Sequence, residues 1–142
     1  MAISSFASFM LDRSGRSGKV TEAELKDVAS RLGAAVEMQG FSTSPVFGSS
    51  IDLWGFRVDL PSCEILVDVS PPEVTADGRW NGQVMLWDQG WFRATRAARL
   101  GQLKSVEWAV HKALLTDQIC ARGLVWLLGK GHIARRVPRP TP

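Results

Sequence analysis

Three carboxylates lie close together in a predicted β-hairpin, with a spacing that could support chemistry. Asp59 and Glu64 face each other across the proposed turn, and Asp68 lies farther along the same outer face. Close carboxylates can separate their pKa values for acid and base catalysis, or bind a divalent ion. Carboxylates on an outer strand face are more commonly solvated, and Arg57 lies beside these three. We therefore expect an acidic surface patch here and not an active site.

Residues 11–33 resemble an EF-hand calcium loop followed by its exiting helix. The span from Asp12 to Glu24 is 13 residues, whereas the family uses a loop of 12, and Arg16 stands where calcium needs an oxygen ligand. Glu24 is also explained by a capping box with Thr21 at the start of a helix. The sequence therefore favours a capped helix and predicts no metal site.

Nucleophilic catalysis has few candidate residues in this chain. The two histidines, His111 and His132, lie near no nucleophile motif such as G-x-S-x-G. Cys63 and Cys120 are 57 positions apart, without metal-type spacing, and both are predicted on buried faces, where thiols are usually inert. We expect a non-catalytic protein without a cofactor.

Charge is sorted along the chain and gives the stronger functional signal. Residues 1–90 contain 7 Lys or Arg and 12 Asp or Glu, whereas residues 91–142 contain 10 and 2. The net charges are therefore −5 and +8, which sum to the overall +3. A basic pole of this kind favours association with an acidic partner, although it does not indicate a reaction.

The basic residues cluster around the tryptophan of a predicted helix and in the C-terminal tail. On that helix Lys104, Trp108 and His111 share the face opposite the apolar stripe. Tryptophan and arginine are common anchors of protein interfaces, and tryptophan among cations also suits nucleic acid, where the ring stacks on a base. The predicted partner-binding residues are Arg93, Arg96, Arg99, Lys104, Trp108, His111, Arg135, Arg136 and Arg139.

The leading hypothesis is a protein-interaction component, an inhibitor, regulator or assembly subunit that binds an acidic protein surface. Viruses and other mobile elements often use small proteins in this way. The alternative is nucleic-acid binding through the same basic surface. A third interpretation leaves the surface without a partner, with Trp108 packed under a neighbouring element and the cations solvated. Self-association is a further option, because the acidic and basic poles can pair between copies.

The elements expected to position these residues form an α+β fold. Two antiparallel hairpins and one possible extra strand make a small sheet, and three to four helices cover one of its faces. Residues 1–130 are predicted to form a single domain, followed by a basic Pro/Arg tail at 131–142 that lacks structure of its own. Helices are expected at 4–11, 21–33, 102–115 and 117–128, and strands at 35–41, 51–60, 63–69, 84–87 and 91–95.

The register of the first hairpin is a sharp prediction, because apolar residues alternate on both of its strands. A two-residue turn places Trp54 opposite Val69, and Phe56 opposite Val67. The longest apolar run near the C-terminus, Gly123–Leu128, is too short to span a membrane, which needs about 20 residues. The N-terminus has no basic start typical of a signal peptide. We expect an intracellular, cytoplasmic protein that does not contact membranes.

Overall fold

The computed structural model describes residues 4–12, 21–50, 53–61, 63–74, 79–88, 95–130 and 133–140. Within them the chain is a mixture of two helices and one antiparallel sheet of eight strands. The elements are β1 (Ser4–Asp12), α1 (Glu22–Glu37), β2 (Ser42–Thr43), β3 (Phe47–Ser50), β4 (Leu53–Asp59), β5 (Glu64–Val74), β6 (Arg79–Asp88), α2 (Arg96–Leu114), β7 (Arg122–Lys130) and β8 (Ile133–Val137). The predicted α+β class is confirmed, whereas the expected three to four helices are two in the described ranges.

Strand order places the N-terminal strand in the middle of the sheet. The order is β2-β4-β5-β6-β1-β7-β8, with β3 also pairing with β4, and every pairing is antiparallel. The first hairpin has the predicted register, with Trp54 opposite Val69 and Phe56 opposite Val67. Alternation of apolar residues specified this pairing, because a slip of one residue would turn the apolar set toward the other face.

Helix α1 begins as the sequence predicts. The Thr21 hydroxyl accepts a hydrogen bond from the backbone N–H of Glu24 at 3.2 Å, which satisfies one of the free donors of the first turn. The helix continues to Glu37, so the strand predicted at 35–41 is wrong. Ala35 and Val36 extend the buried face of the helix, which explains why their apolar character was misread as the start of a strand.

The first predicted helix is the strand β1. Ser5, Ala7, Phe9 and Leu11 are buried and alternate with more exposed residues, which is the period of a strand and not of a helix. Pairing with β6 on one side and β7 on the other satisfies the backbone of β1. The prediction failed because Phe6, Phe9 and Met10 also fit one side of a short helix.

The last predicted helix, 117–128, is wrong because this segment also contains a strand. Its apolar part forms β7, which pairs with β1 and β8. Cys120, between α2 and β7, has a positive φ of 54°, and Gly123, near the start of β7, has one of 60°, so the backbone enters this strand through the left-handed region. Short apolar runs fit a buried strand as well as a helix, and only the pairing partners decide between them.

Three further predictions concern a hairpin, the C-terminal tail and the start of α2. β6 is longer than expected and pairs with β5 and β1. The strand predicted at 91–95, its expected hairpin partner, falls mainly on residues 91–94, which lie outside the described residues. The tail predicted to be without structure contains β8, whose register runs from Trp126 opposite Val137 to Lys130 opposite Ile133. Helix α2 starts at Arg96, six residues before the predicted start, because Thr95 caps it.

Both helices pack on one face of the sheet. Gly33 of α1 lies against the ring of Phe56, where an added Cβ would be 3.3 Å from the ring. The register aligns Phe56 with Val67, Val67 with Leu86 and Leu86 with Ser5, so these residues share that face. The hydroxyl of Ser5 donates to the Glu107 carboxylate of α2. The core therefore lies between this face and the two helices, and no helix in the described ranges is long and apolar enough to cross a membrane.

Candidate binding groove on helix α2

Helix α2 presents one buried side and one accessible side. The predicted apolar stripe of Leu103, Val106, Val110, Ala113 and Leu114 is buried, as expected. On the accessible side Lys104 and Lys112 are exposed and Trp108 is half-buried between them. Residues four apart lie above one another on a helix, so these three form a row two turns long, about 12 Å. The row is called the Lys-Trp-Lys row below.

A groove of about 410 Å³ runs beside this row. One wall is α2, and the other is the segment that follows α1, with the half-buried side chains of Gln39 and Phe41. The lining residues are Gln39, Phe41, Gly101, Lys104, Ser105, Trp108, Ala109 and Lys112. They include two cations and two aromatic rings, and no carboxylate belongs to this lining.

Gln39 joins the two walls of the groove. Its amide Nε2 donates to the carbonyl oxygen of Ala109 at 2.8 Å and to that of Ala35 at 3.3 Å. Its Oε1 is buried without a hydrogen-bond partner among the described residues. A buried acceptor without a donor raises the free energy of the folded state, so a ligand donor that reached Oε1 would lower it.

Behind the groove, Trp108 rests on a buried histidine. The rings of Trp108 and His111 stack with centroids 5.5 Å apart and planes 24° apart. The indole Nε1 of Trp126 donates to His111 Nδ1 at 3.1 Å, so this nitrogen carries no proton and the neutral imidazole holds its proton on Nε2. Burial lowers the pKa of His111, and the charge of Arg139 lowers this pKa further. His111 therefore supports Trp108 from the core, whereas the sequence predicted it on the binding surface.

The described residues place only part of the predicted basic cluster, and one of its members is buried. Arg99 is buried at 8% exposure, which corrects its assignment as a surface contact. Arg139 is exposed, and it lies near His111 of α2 although the two residues are far apart in the sequence. Arg96 is the first residue of α2, and its side chain is outside the description, as is the whole of Arg93. Arg135 and Arg136 are strand residues of β8 and not members of a free tail.

The predicted acidic patch is also divided. Asp59 is exposed and stands opposite Glu64 as expected, and Glu64 forms an ion pair with Arg57 at 3.1 Å. Asp68, by contrast, is 3% exposed and lies over Gly55 of the neighbouring strand. Its burial between strands removes it from the surface patch. Among the described residues, no three His, Cys, Asp or Glu side chains form a group that could bind a metal ion.

Six of the eight lining residues were absent from the sequence-based site, among them Lys112, Gln39 and Phe41. Lys112 repeats the spacing of Lys104 and Trp108, so the helical period could have identified it. Gln39 and Phe41 carry no such signal, because only the packing of α1 beside α2 brings them to the groove. Comparison with known proteins adds nothing here: no family model, curated protein or solved structure matches the chain.

Proposed function

We propose that this protein is a non-catalytic binding protein that holds an acidic protein segment in the groove along α2. The observation that carries the proposal is the Lys-Trp-Lys row, in which an aromatic ring lies between two exposed cations. Partly desolvated tryptophans are common anchors of protein interfaces, and flanking charges choose the partner and orient it. The role would be that of an inhibitor, regulator or assembly subunit.

The spacing of the row suggests the form of the bound segment. Lys104 and Lys112 are about 12 Å apart along the helix, which equals the reach of about four residues of extended chain. A segment with two carboxylates four positions apart could contact both lysines. An apolar or aromatic side chain between the carboxylates would then lie against Trp108 and Phe41.

A peptide selection tests this form directly. We expect a random peptide library displayed on phage, selected on the purified protein, to yield peptides with two acidic residues about four positions apart around an apolar residue. The same selection on the double variant Lys104→Glu/Lys112→Glu should not enrich them. Enrichment of basic peptides, or of the same acidic peptides by both proteins, would contradict the proposal.

Affinity measurements with one selected peptide then separate the contribution of Trp108 to binding from that of the two lysines. Trp108→Ala should weaken binding about 30-fold, which corresponds to roughly 2 kcal/mol at an interface anchor. The double charge reversal should weaken it at least about 10-fold. The matched control is Lys26→Glu/Arg122→Glu, which changes the net charge equally at exposed positions outside the groove and should leave the affinity within about twofold.

The same variants distinguish binding of a protein segment from binding of nucleic acid. A single-stranded oligonucleotide should bind weakly, with a steep salt dependence and similar losses in the control and the groove double variants, because distributed charge governs such binding. If instead the oligonucleotide displaces the peptide and depends on Trp108, the groove is a base-stacking site and the protein-segment proposal is wrong.

A further inference from the structure

We infer that His111 is a positioning residue of the groove, and that a proton taken up by its imidazole releases Trp108 and the segment bound against it. This role rests on the proposed function, because it concerns the regulation of the same groove. The contacts of the His111 ring carry it, since they support a lining residue of the groove with a side chain that can change its charge near neutral pH.

The imidazole of His111 contacts two indoles from different elements. It stacks against Trp108, which lines the groove, with ring centroids 5.5 Å apart. The ring of Trp126 in β7 lies 6.3 Å away on a plane tilted by 57°. Trp126 is fully buried and His111 is 8% exposed, whereas Trp108 is half-buried at the surface. Of the two indoles, Trp108 is therefore the one that can move when the imidazole changes position.

A proton on His111 makes the observed position of its ring unfavourable. Nδ1 accepts the hydrogen bond of the Trp126 indole N–H at 3.1 Å. In the imidazolium both nitrogens carry protons, so two donors would point at each other in a buried place. The lost hydrogen bond and the buried charge both raise the free energy of the folded state. The protonated ring therefore turns away from Trp126 toward solvent and displaces Trp108, which stacks over it.

The groups around His111 come from α2, β7 and the segment after β8. Arg139 of that last segment lowers the pKa of His111 in addition to the effect of burial. On α2, Lys112 is the next residue, and Glu107 lies one turn earlier, where its carboxylate accepts a hydrogen bond from β1. β7 contributes the uncharged Trp126. The ring is therefore neutral at pH 7, and it takes up a proton below the ordinary histidine pKa of about 6.5.

A proton on His111 also adds a positive charge near the groove, which by itself would attract an acidic segment. This attraction is the smaller effect, because the carboxylates of the segment would pair with Lys104 and Lys112, one turn of helix to either side of Trp108. Solvent and salt screen charges over such distances. The hydrogen bond of Trp126, by contrast, is lost in the core, where nothing screens it. Acidification should therefore weaken binding.

Affinity as a function of pH tests the coupling. With one acidic peptide selected on the groove, wild type should bind at least about fivefold more weakly at pH 5.5 than at pH 7.5. His111→Phe keeps an aromatic ring under Trp108 but cannot bind a proton, so it should keep the affinity at pH 7.5 within about twofold and lose the pH dependence. The carboxylates of the peptide are common to both proteins and cancel in the comparison.

His111→Gln separates positioning from protonation. Its amide oxygen can still accept the Trp126 hydrogen bond, but it offers no ring on which Trp108 can stack. This variant should bind about fivefold more weakly than wild type at pH 7.5, through loss of an aromatic contact, and without pH dependence. Wild-type affinity of His111→Gln at pH 7.5 would overturn the positioning role.

The other histidine of the chain supplies the matched control. His132→Gln should keep the wild-type pH dependence of binding. If this variant loses the dependence while His111→Phe keeps it, the inference is wrong. An affinity of wild type that stays constant or rises on acidification would overturn the release by a proton as well.

A measurement on the free protein distinguishes failure of this inference from failure of the proposed function. The difference in fluorescence between wild type and Trp108→Phe isolates the emission of Trp108. This emission should shift to longer wavelength below about pH 6.5, as the indole becomes more exposed, and the shift should be absent in a His111→Phe background. If the shift occurs but no acidic peptide binds, the proposed function fails while the movement of Trp108 stands. If peptides bind but no shift occurs, Trp108 does not respond to His111 and this inference fails.

Discussion

At the scale of single residues, a glycine in the sheet lies beside a buried carboxylate. Gly55 and Asp68 are opposite one another in β4 and β5. A Cβ at position 55 would lie 2.5 Å from Asp68 Oδ1 and closer still to the backbone carbonyl oxygen of Val67. Only a residue without a side chain fits here, and this is why the hairpin has a glycine within an otherwise regular strand.

Gly55→Ala should therefore destabilise the protein by about 2 kcal/mol or more, because a backbone oxygen cannot move away without disturbing the strand pairing. Gly101→Ala in α2 is the matched control, since an added Cβ there meets no atom within 4 Å. It should stabilise the protein by about 0.5 to 1 kcal/mol through helix propensity. Urea unfolding measures both values, and equal stabilities of the two variants would contradict this account.

His111 gives a second prediction at this scale, on the dependence of stability on pH. Its pKa in the folded protein is lowered by burial and then by Arg139, so the unfolded chain binds a proton more readily than the folded one. The stabilising contribution is complete above the unfolded pKa of about 6.5 and is lost as the pH falls from there through the folded pKa. Protonation of Nδ1 would also remove the acceptor of the Trp126 N–H.

The measurement compares wild type with His111→Gln, whose amide oxygen can still accept the Trp126 bond. Between about pH 7.5 and 5.5 the free energy of unfolding of wild type should fall more than that of the variant. Other titrating groups are common to both proteins and cancel in the comparison. Parallel pH profiles for the two proteins would show that His111 does not contribute.

At the scale of elements, the final strand is a structural part of the sheet. β8 pairs with β7 along five positions, and Val137 packs against the core. The sequence predicted a domain that ends at residue 130 with an unstructured tail after it, whereas this pairing implies that β8 protects β7. Without β8, the backbone of β7 beside the buried Trp126 would become an unpaired edge.

Removal of residues 131–142 should accordingly lower Tm by at least about 5 °C and promote aggregation. Arg135→Ser/Arg136→Ser keeps the strand while it removes the charges, and should change Tm by much less. Thermal unfolding followed by circular dichroism and static light scattering distinguishes the two variants. A truncated protein as stable as wild type would show that residues 1–130 form the domain unaided.

At the scale of the whole molecule, the proposed groove lies on the helix side of the sheet, between α2 and the segment after α1. The Lys-Trp-Lys row is proposed to face the acidic partner there.

The sequence by itself determined the features that depend on neighbouring residues in the chain. Capping at Thr21, the β4–β5 register and the apolar stripe of α2 follow from local hydrogen bonds and from periods of 3.6 and two. Helix α2 positions Lys104 and Trp108, and the sequence predicted that both residues lie on one accessible face of this helix.

Only the tertiary structure decided the features that depend on partners distant in the chain. The segments at 4–12 and 122–130 are ambiguous between helix and strand until they pair with each other and with β6 and β8. The burial of Arg99, Asp68 and His111 likewise depends on contacts between segments distant in the chain, and Gln39 reaches the groove only because α1 packs beside α2. The physical reason is the same in each case: pairing and burial are long-range, whereas periodicity and capping are local.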